Sequence, residues 1–137
     1  MVLEAENGVE FTPVDQWIRR GRGGKYVAMR MKAWDPKTNS ASLSRMDSAA
    51  AAYTGKNYDS YFDWSDDDMY CSELVWKVYH AAGINLCALH KFRDYDFSNP
   101  LVRGKLKERF GDHIPLDEDM VSPEDIYRSP LLAKVTH

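Results

Sequence analysis

Apolar and polar positions alternate with a period of two in three segments near the start of the chain. These segments are residues 2–6, 9–12 and 26–31. The period is typical of half-buried strands, whose successive side chains point to opposite faces. The first two segments flank Asn7 and Gly8, a pair that favours a tight β-hairpin because both turn positions need a positive φ. We therefore predict an antiparallel sheet that contains all three segments.

Four segments show the helical period of three to four residues. They cover residues 13–20, 42–53, 71–82 and 101–110. Thr12 is the predicted cap of the first helix, and Ser42 or Ser44 is the predicted cap of the second. The residues from 112 onward read as a proline- and acid-rich tail, which apolar side chains should anchor over the domain. The predicted anchors are Leu116, Ile126, Tyr127, Leu131 and Leu132.

The helix that begins near Cys71 carries the candidate chemistry. Cys71, Val75, Val78 and Ala82 fall on one helix face, and Gly83 is suited to end the helix. Unpaired backbone N–H groups and the helix dipole stabilise negative charge in a first turn, so this position favours a nucleophilic thiolate. The same N–H groups are suited to bind an oxyanion. The alternative is that Cys71 is a small buried residue of a core helix.

The segment Tyr-Cys-Ser-Glu-Leu-Val at residues 70–75 resembles the nucleophile motif of the circularly permuted papain-like cysteine hydrolases. The nearest branch is the YiiX-like one, related to the NlpC-type cell-wall peptidases. Further matching stretches lie at residues 2–5, 12–17, 58–64, 113–116, 122–123 and 129–132. The resemblance implies one domain over residues 1–137 with a permuted papain-like α+β fold. In that fold an antiparallel sheet packs on helices, and the cysteine lies at a helix N-terminus.

The resemblance also implies a set of site residues. In the permuted family a histidine comes first along the chain, then a polar residue on the next strand, then the cysteine. Cys71 matches the nucleophile, and Glu4 matches the polar position, where a carboxylate would orient the imidazole. Tyr70 and Ser72 flank the nucleophile and are the candidates for substrate binding and the oxyanion site. The alternative for Glu4 is an ordinary solvent-facing residue of a half-buried strand.

No histidine of this sequence matches the family's histidine motif, which should lie upstream of Glu4. The four histidines are His80, His90, His113 and His137. His80 lies roughly 13.5 Å along the helix from Cys71, at 1.5 Å per residue, and on the opposite face. The others are expected to be structural or surface residues, with His113 the best substitute. We therefore expect a chain that is truncated at its N-terminus and catalytically impaired.

Composition and charge exclude several classes of protein. The chain has 137 residues, of which 44% are hydrophobic, so it can form a core. Its net charge of −3 gives no general reason to expect nucleic acid binding. No apolar run approaches the roughly 18 residues of a membrane span, and no export signal follows Met1. Cys71 and Cys87 form neither a disulfide framework nor a zinc pattern, and no cofactor is predicted.

Two charged clusters are candidate binding sites. Four aspartates precede the Cys71 helix, but an EF-hand loop counted from Asp63 needs glycine and glutamate where Asp68 and Leu74 stand. Capping and solvation of the helix is the preferred interpretation, and no metal is predicted. Residues 19–32 form the most basic region, interpreted as a solvated face, with an anionic partner as the alternative.

Three functions remain as hypotheses. The leading one is a cysteine hydrolase that works through an acyl-enzyme thioester on a peptide, a cell-wall peptide or an acylated lipid. The second is a non-catalytic binding domain derived from that family. The third is a dimer, in which an exposed first strand lets a second chain supply the histidine. The sequence does not select a cellular compartment.

Overall fold

The computed structural model describes residues 1–136 and contains short strands and α-helices mixed along the chain. The strands are β1 (Val2–Ala5), β2 (Val9–Thr12), β3 (Met29–Met31), β4 (Asn57–Tyr58), β5 (Asp68–Met69), β6 (His90–Lys91), β7 (Asp119–Met120) and β8 (Leu132–Lys134). The helices are α1 (Val14–Arg20), α2 (Ser40–Tyr53), α3 (Cys71–Ala81), α4 (Pro100–Phe110) and α5 (Pro123–Tyr127). The predicted α+β class is confirmed.

The first hairpin forms, but its turn differs from the tight turn predicted: the loop comprises Glu6, Asn7 and Gly8, and of the predicted pair only Gly8 has a positive φ. Strands β1 and β2 pair antiparallel, with Val2 opposite Thr12 and Ala5 opposite Val9. Gly8 closes the turn at φ 123°, a conformation that favours glycine. Ala5 and Val9 are buried, so the hairpin packs one face on the core. Their burial places β1 against α3, the helix that begins with the candidate nucleophile.

The third predicted strand belongs to a different sheet. Strand β3 pairs antiparallel with β8, near the end of the chain, and not with the hairpin. The described residues form four separate two-stranded sheets, of which β4–β5 is parallel and the others are antiparallel. The predicted three-stranded sheet is therefore wrong. The alternation of residues 26–31 indicates a strand, but it carries no information about a partner 100 residues away.

Helix α3 lies between two hydrophobic clusters. Leu74 and Val78 join a cluster with Ala5, Val9 and Met69, and side chains of α2 pack against it. On another side of the helix, the second cluster unites Tyr70, Trp76 and Val121. Burial of each large apolar side chain contributes about 1.5–3 kcal/mol, so both clusters fix the orientation of α3. The start of α3 is thereby held relative to β1.

The capping predictions for the first two helices are wrong, while α4 has a side-chain cap that was not predicted. Asn99 caps α4, since its side chain accepts a hydrogen bond from the N–H of Leu101 at 2.9 Å. Helix α2 begins at Ser40, earlier than predicted, with Asn39 at the cap position. Thr12 does not cap α1, which has no side-chain cap and follows Pro13. The hydroxyl of Thr12 instead bonds to Glu4.

The tail from residue 112 onward is ordered, but its anchors differ from those predicted. Leu132 is buried and Ile126 is half-buried, whereas the other three predicted anchors, Leu116, Leu131 and Tyr127, are exposed. The main anchor is Val121, which is fully buried between β7 and α5. Among residues 1–136, no helix has the length and apolar character needed to cross a membrane.

Candidate active site

Cys71 is the first residue of α3, as predicted from the helical pattern. Tyr70 occupies the cap position with an extended backbone, at φ −95° and ψ 164°. The first helical turn leaves backbone N–H groups without intrahelical partners. Cys71 is exposed, so its thiol can meet a solute next to those N–H groups. The alternative of a small buried core cysteine does not describe this residue.

Cys71 and Glu4 line the same cavity, which has a volume of about 680 Å³. The wall of this cavity includes residues from both faces of β1, because Glu4 and its neighbours Leu3 and Ala5 all border it. Most of the wall is apolar and comes from β1, α1, β4 and α3. These apolar residues are Val2, Leu3, Ala5, Trp17, Ile18, Tyr58 and Val75. Charged residues, Glu4, Glu6, Arg20 and Lys25, form the rest of the wall together with Gly21. The structure thus brings together the two predicted residues, which are 67 positions apart in the sequence.

The carboxylate of Glu4 is held by two partners that the sequence did not reveal. Thr12 Oγ1 donates a hydrogen bond to Glu4 Oε1 at 2.5 Å, and Arg20 forms an ion pair with the same oxygen. The Glu4 side chain is only 11% exposed. Within the part of the chain that the structure describes, Oε2 accepts no hydrogen bond. Oε2 can therefore accept a hydrogen bond from a further donor.

The pairing of β1 with β2 explains why Thr12 can reach Glu4. Val2 lies opposite Thr12 and Glu4 lies opposite Glu10, so all four side chains belong to one face of the two strands. A threonine diagonal to a carboxylate on one face is within hydrogen-bonding reach. Arg20 comes from the basic segment 19–32, whose pattern gave no sign that one member would turn toward the hairpin.

Tyr70 and Ser72 direct their side chains away from the Cys71 cavity. Tyr70 is 1% exposed, and its hydroxyl accepts a hydrogen bond from the N–H of Val121 at 3.4 Å. Burial raises the pKa of Tyr70 well above its ordinary value. Ser72 is buried, and its hydroxyl donates to the carbonyl of Val121 at 2.8 Å. A contribution of these two residues to an oxyanion site would come from their backbone.

No histidine among residues 1–136 lines the Cys71 cavity. His80 stacks on Trp76 with ring centroids 4.5 Å apart, and its Nδ1 lies 2.8 Å from the side-chain oxygen of Asn85. His90 lies 4.0 Å from Asp125. His113 is exposed at the surface. His137 lies outside the described residues.

A buried ion pair underlies the first turn of α3. Glu73 is fully buried and binds the ammonium of Lys77 at 2.8 Å. Burial raises the pKa of Glu73 to about 7, although Lys77 acts against the shift. Lys77 also binds Asp66 at 2.8 Å, so one member of the acidic cluster is an ion-pair partner. Glu73 and Lys77 are four residues apart on a helix, and this spacing indicates an ion pair from the sequence alone.

Comparison with known proteins identifies the family. A family model described as "Permuted papain-like amidase enzyme, YaeF/YiiX, C92 family" matches residues 1–136. The chain belongs to this family. It is 44% identical over 135 residues to the uncharacterized protein YiiX of Escherichia coli K12. That alignment covers 98% of this chain and 65% of the relative, so the chain spans about two thirds of the relative's length.

A solved structure agrees with the fold of the chain. The crystal structure of metalloprotein YiiX from Escherichia coli O157:H7 matches with a TM-score of 0.90 and 44% sequence identity. The match covers 98% of this chain and 73% of the solved one. The predicted permuted papain-like fold and the YiiX-like branch are both confirmed. The word metalloprotein describes that relative; in residues 1–136 of this chain, no three His, Cys, Asp or Glu side chains cluster to hold a metal ion.

Proposed function

We propose that this chain forms the cysteine-bearing domain of a papain-like hydrolase, with Cys71 as the nucleophile. The observation that carries the proposal is the exposed Cys71 thiol at the start of α3, in the cavity that Glu4 also lines. Family membership supplies the amidase class, since permuted papain-like amidases share this fold. Residues 1–137 are treated as one domain in this proposal.

The proposed reaction proceeds through a thioester. The Cys71 thiolate attacks the substrate carbonyl, and the C–S bond forms while backbone N–H groups of the first turn stabilise the oxyanion. The bond to the leaving amine or alkoxide then breaks, and that group takes up a proton. Water attacks the thioester in a second step, which releases the carboxylic acid and returns the thiol.

Glu4 is proposed to orient an imidazole beside Cys71. Its open oxygen Oε2 would accept the ring N–H, while Thr12 and Arg20 hold Oε1. An imidazole so placed would withdraw the proton from the thiol and later give it to the leaving group. The described residues supply no imidazole to this cavity, so the base is proposed to come from another segment or another chain. A second chain that adds a strand at the edge of β1 is one such source.

The cavity favours substrates with an apolar group next to the reacting carbonyl. Seven of its lining residues are apolar, and three of the charged ones are paired with each other, since Arg20 binds both Glu4 and Glu6. Peptide amides, cell-wall peptides and acylated lipids all combine an apolar part with a carbonyl. The substrate is therefore proposed to belong to one of these three classes.

A trapping experiment tests the function. The chain is incubated with a chromogenic acyl ester, and the acyl adduct is located by mass spectrometry of its peptides. We expect an acyl adduct to form on Cys71 and then to disappear with time as it is hydrolysed. Cys71→Ala should give no adduct, while the matched variant Cys87→Ala should behave as the wild type, because Cys87 packs in the second cluster. Turnover that persists in Cys71→Ala would refute the proposal.

A non-catalytic binding domain is the second candidate. The absence of an imidazole at the cavity among residues 1–136 is the observation that favours it. In that case the apolar cavity would bind a peptide or acyl chain without forming an adduct. Stable binding of an unreactive acyl amide, with no labelling of Cys71 by any activated ester, would select this alternative.

A further inference from the structure

The side chain of Glu73 joins two parts of α3 on either side of its own position. Its Oε2 accepts a hydrogen bond from the backbone N–H of Tyr70 at 3.2 Å, and its Oε1 accepts one from Lys77 at 2.8 Å. Glu73 is 0% exposed. The N–H of Tyr70 belongs to the residue that directly precedes Cys71. The carboxylate therefore fixes the backbone from which the nucleophile enters the helix.

Lys77 connects this carboxylate to the loop before α3. Its ammonium binds Asp66 at 2.8 Å and also donates to the carbonyl of Ser65. It lies 4.7 Å from the ring centre of Trp64, in a cation–π contact. Three residues of the loop are thus tied to the helix through one ammonium group. The Glu73 carboxylate is consequently charge-paired although water does not reach it.

Helix capping accounts for the bond between Glu73 and the Tyr70 N–H, because a glutamate at the third helical position accepts the N–H of the cap residue in a capping box, but it does not account for the buried ion pair. Buried ion pairs stabilise folds weakly, because the loss of hydration offsets the attraction, and apolar replacements of similar volume are often neutral or stabilising. The position of the pair is therefore informative. It acts on the Met69–Tyr70 peptide group, one residue before the peptide group that leads into the exposed cysteine, and the cluster around Leu74 and Val78 already holds the helix in place.

We propose that Glu73 is a positioning residue for Cys71. Given the proposed role of Cys71 as nucleophile, the Glu73 carboxylate sets the direction of the Tyr70 peptide and hence the orientation of the thiol and of the first-turn N–H groups. Lys77 holds the carboxylate in place. Glu73 does not line the Cys71 cavity, so it acts through the backbone and not on the substrate.

Two double variants separate the hydrogen bond from the ion pair. Glu73→Gln with Lys77→Met removes both charges but keeps an oxygen that can accept the Tyr70 N–H. Glu73→Leu with Lys77→Met removes the same charges and the acceptor, and fills the space with carbon. Both are made with Cys87→Ala, so that Cys71 is the one thiol. Neither variant leaves an unpaired charge in the core, which is the usual cause of misfolding at such sites.

The measured quantities are the rate of Cys71 alkylation by iodoacetamide across a pH range, and kcat and KM for a chromogenic ester. The leucine variant should react about tenfold more slowly than the glutamine variant, which is the effect of one lost buried hydrogen bond. The loss should appear in kcat and not in KM. Melting temperatures are measured in parallel, because a purely structural role would change them without changing the relative reactivity.

Equal alkylation rates and equal kcat in two folded variants would overturn the proposal. If the leucine variant does not fold, the test is the rate of amide hydrogen exchange at Tyr70 in the wild type and in the glutamine variant. Strong protection in both the wild type and the glutamine variant supports the positioning role, while exchange at the rate of a free amide in the wild type overturns it. Alkylation requires no turnover, so a failure of the hydrolase function itself would be seen separately, as the absence of ester hydrolysis.

Discussion

Thr12 donates a hydrogen bond to Glu4 across the first hairpin, with 2.5 Å between Thr12 Oγ1 and Glu4 Oε1. Thr12 is 8% exposed and lies just before the proline that precedes α1. Its hydroxyl thus serves the carboxylate in the cavity and not the N-terminus of the helix. The contact makes the hairpin register a determinant of the site, because it holds one oxygen of Glu4 and leaves the other open.

Loss of this hydroxyl should lower stability. We expect Thr12→Val to reduce the free energy of unfolding by about 1 to 2 kcal/mol, because a buried hydrogen bond to a charged group is lost while the shape is kept. Urea denaturation measures the change. The control is Thr38→Val, whose hydroxyl bonds the carbonyl of Asp35 at an exposed position and should matter little. Equal effects of the two substitutions would contradict the expectation.

Free imidazole should accelerate ester hydrolysis by this chain. No histidine of residues 1–136 lines the cavity, and Glu4 Oε2 is open to an imidazole N–H. An imidazole from solution would supply general acid–base help, which is worth about 10²–10⁴-fold when fully positioned. A smaller, saturable increase that requires Cys71 is expected, and it is measured as initial rate against imidazole concentration.

The matched controls for this experiment are Glu4→Gln and Glu6→Gln. Both glutamates pair with Arg20, but only Glu4 also binds Thr12. The acceleration should shrink in Glu4→Gln and persist in Glu6→Gln. An identical acceleration in both variants would show that Glu4 does not orient the ring.

Without added imidazole, the chain should discriminate strongly between leaving groups. An activated ester expels a group that needs no proton, whereas an amide must be protonated as it leaves. We expect slow turnover of the ester and amide cleavage that is weaker than in a complete site by about 10²–10⁴-fold. The comparison uses an activated ester and a peptide amide with the same acyl group. Rapid amide cleavage would require a base from this chain or from a second copy of it.

The pH dependence of stability should reveal the buried Glu73. Burial raises the pKa of Glu73 from its ordinary value of 4.5 to about 7, with Asp59 adding to the shift and Lys77 and the Tyr70 N–H opposing it. Folded Glu73 thus binds a proton that unfolded Glu73 has lost, between pH 4.5 and 7. Stability conferred by this proton is present below pH 4.5 and is lost as pH rises through 7.

Glu73→Gln removes this titration. The free energy of unfolding of the wild type, relative to Glu73→Gln, should therefore fall between pH 4.5 and 7 and level off above that range. Asp66 reaches Glu73 through Lys77 and is present in both proteins, so its effect largely cancels in the difference. Glu124→Gln is the control, since Glu124 forms an exposed pair with Arg128. Parallel curves for the wild type and Glu73→Gln would contradict the prediction.

The sequence by itself determined the hairpin and the start of α3. Gly8 allows the turn through a positive φ, which is a local backbone preference of glycine. Cys71, Val75 and Val78 are spaced four and three residues apart, and this spacing places them on one face of a helix. Features of this kind depend on contacts within a few positions of the chain, so they can be read before the fold is known. The motif around Cys71 then sufficed to indicate the family.

Tertiary structure decided which residues meet. The partner of β3 is β8, from the far end of the chain, and Arg20 turns toward Glu4 and Glu6. Burial of Tyr70 and Ser72 depends on the Val121 segment, which reaches them after about 50 intervening residues. Strand pairing and burial are set by surfaces that only the folded chain brings together. For that reason the helical pattern could indicate Cys71 and the family resemblance could indicate Glu4 as candidates, while the groups that hold Glu4 and Glu73 appeared only in the structure.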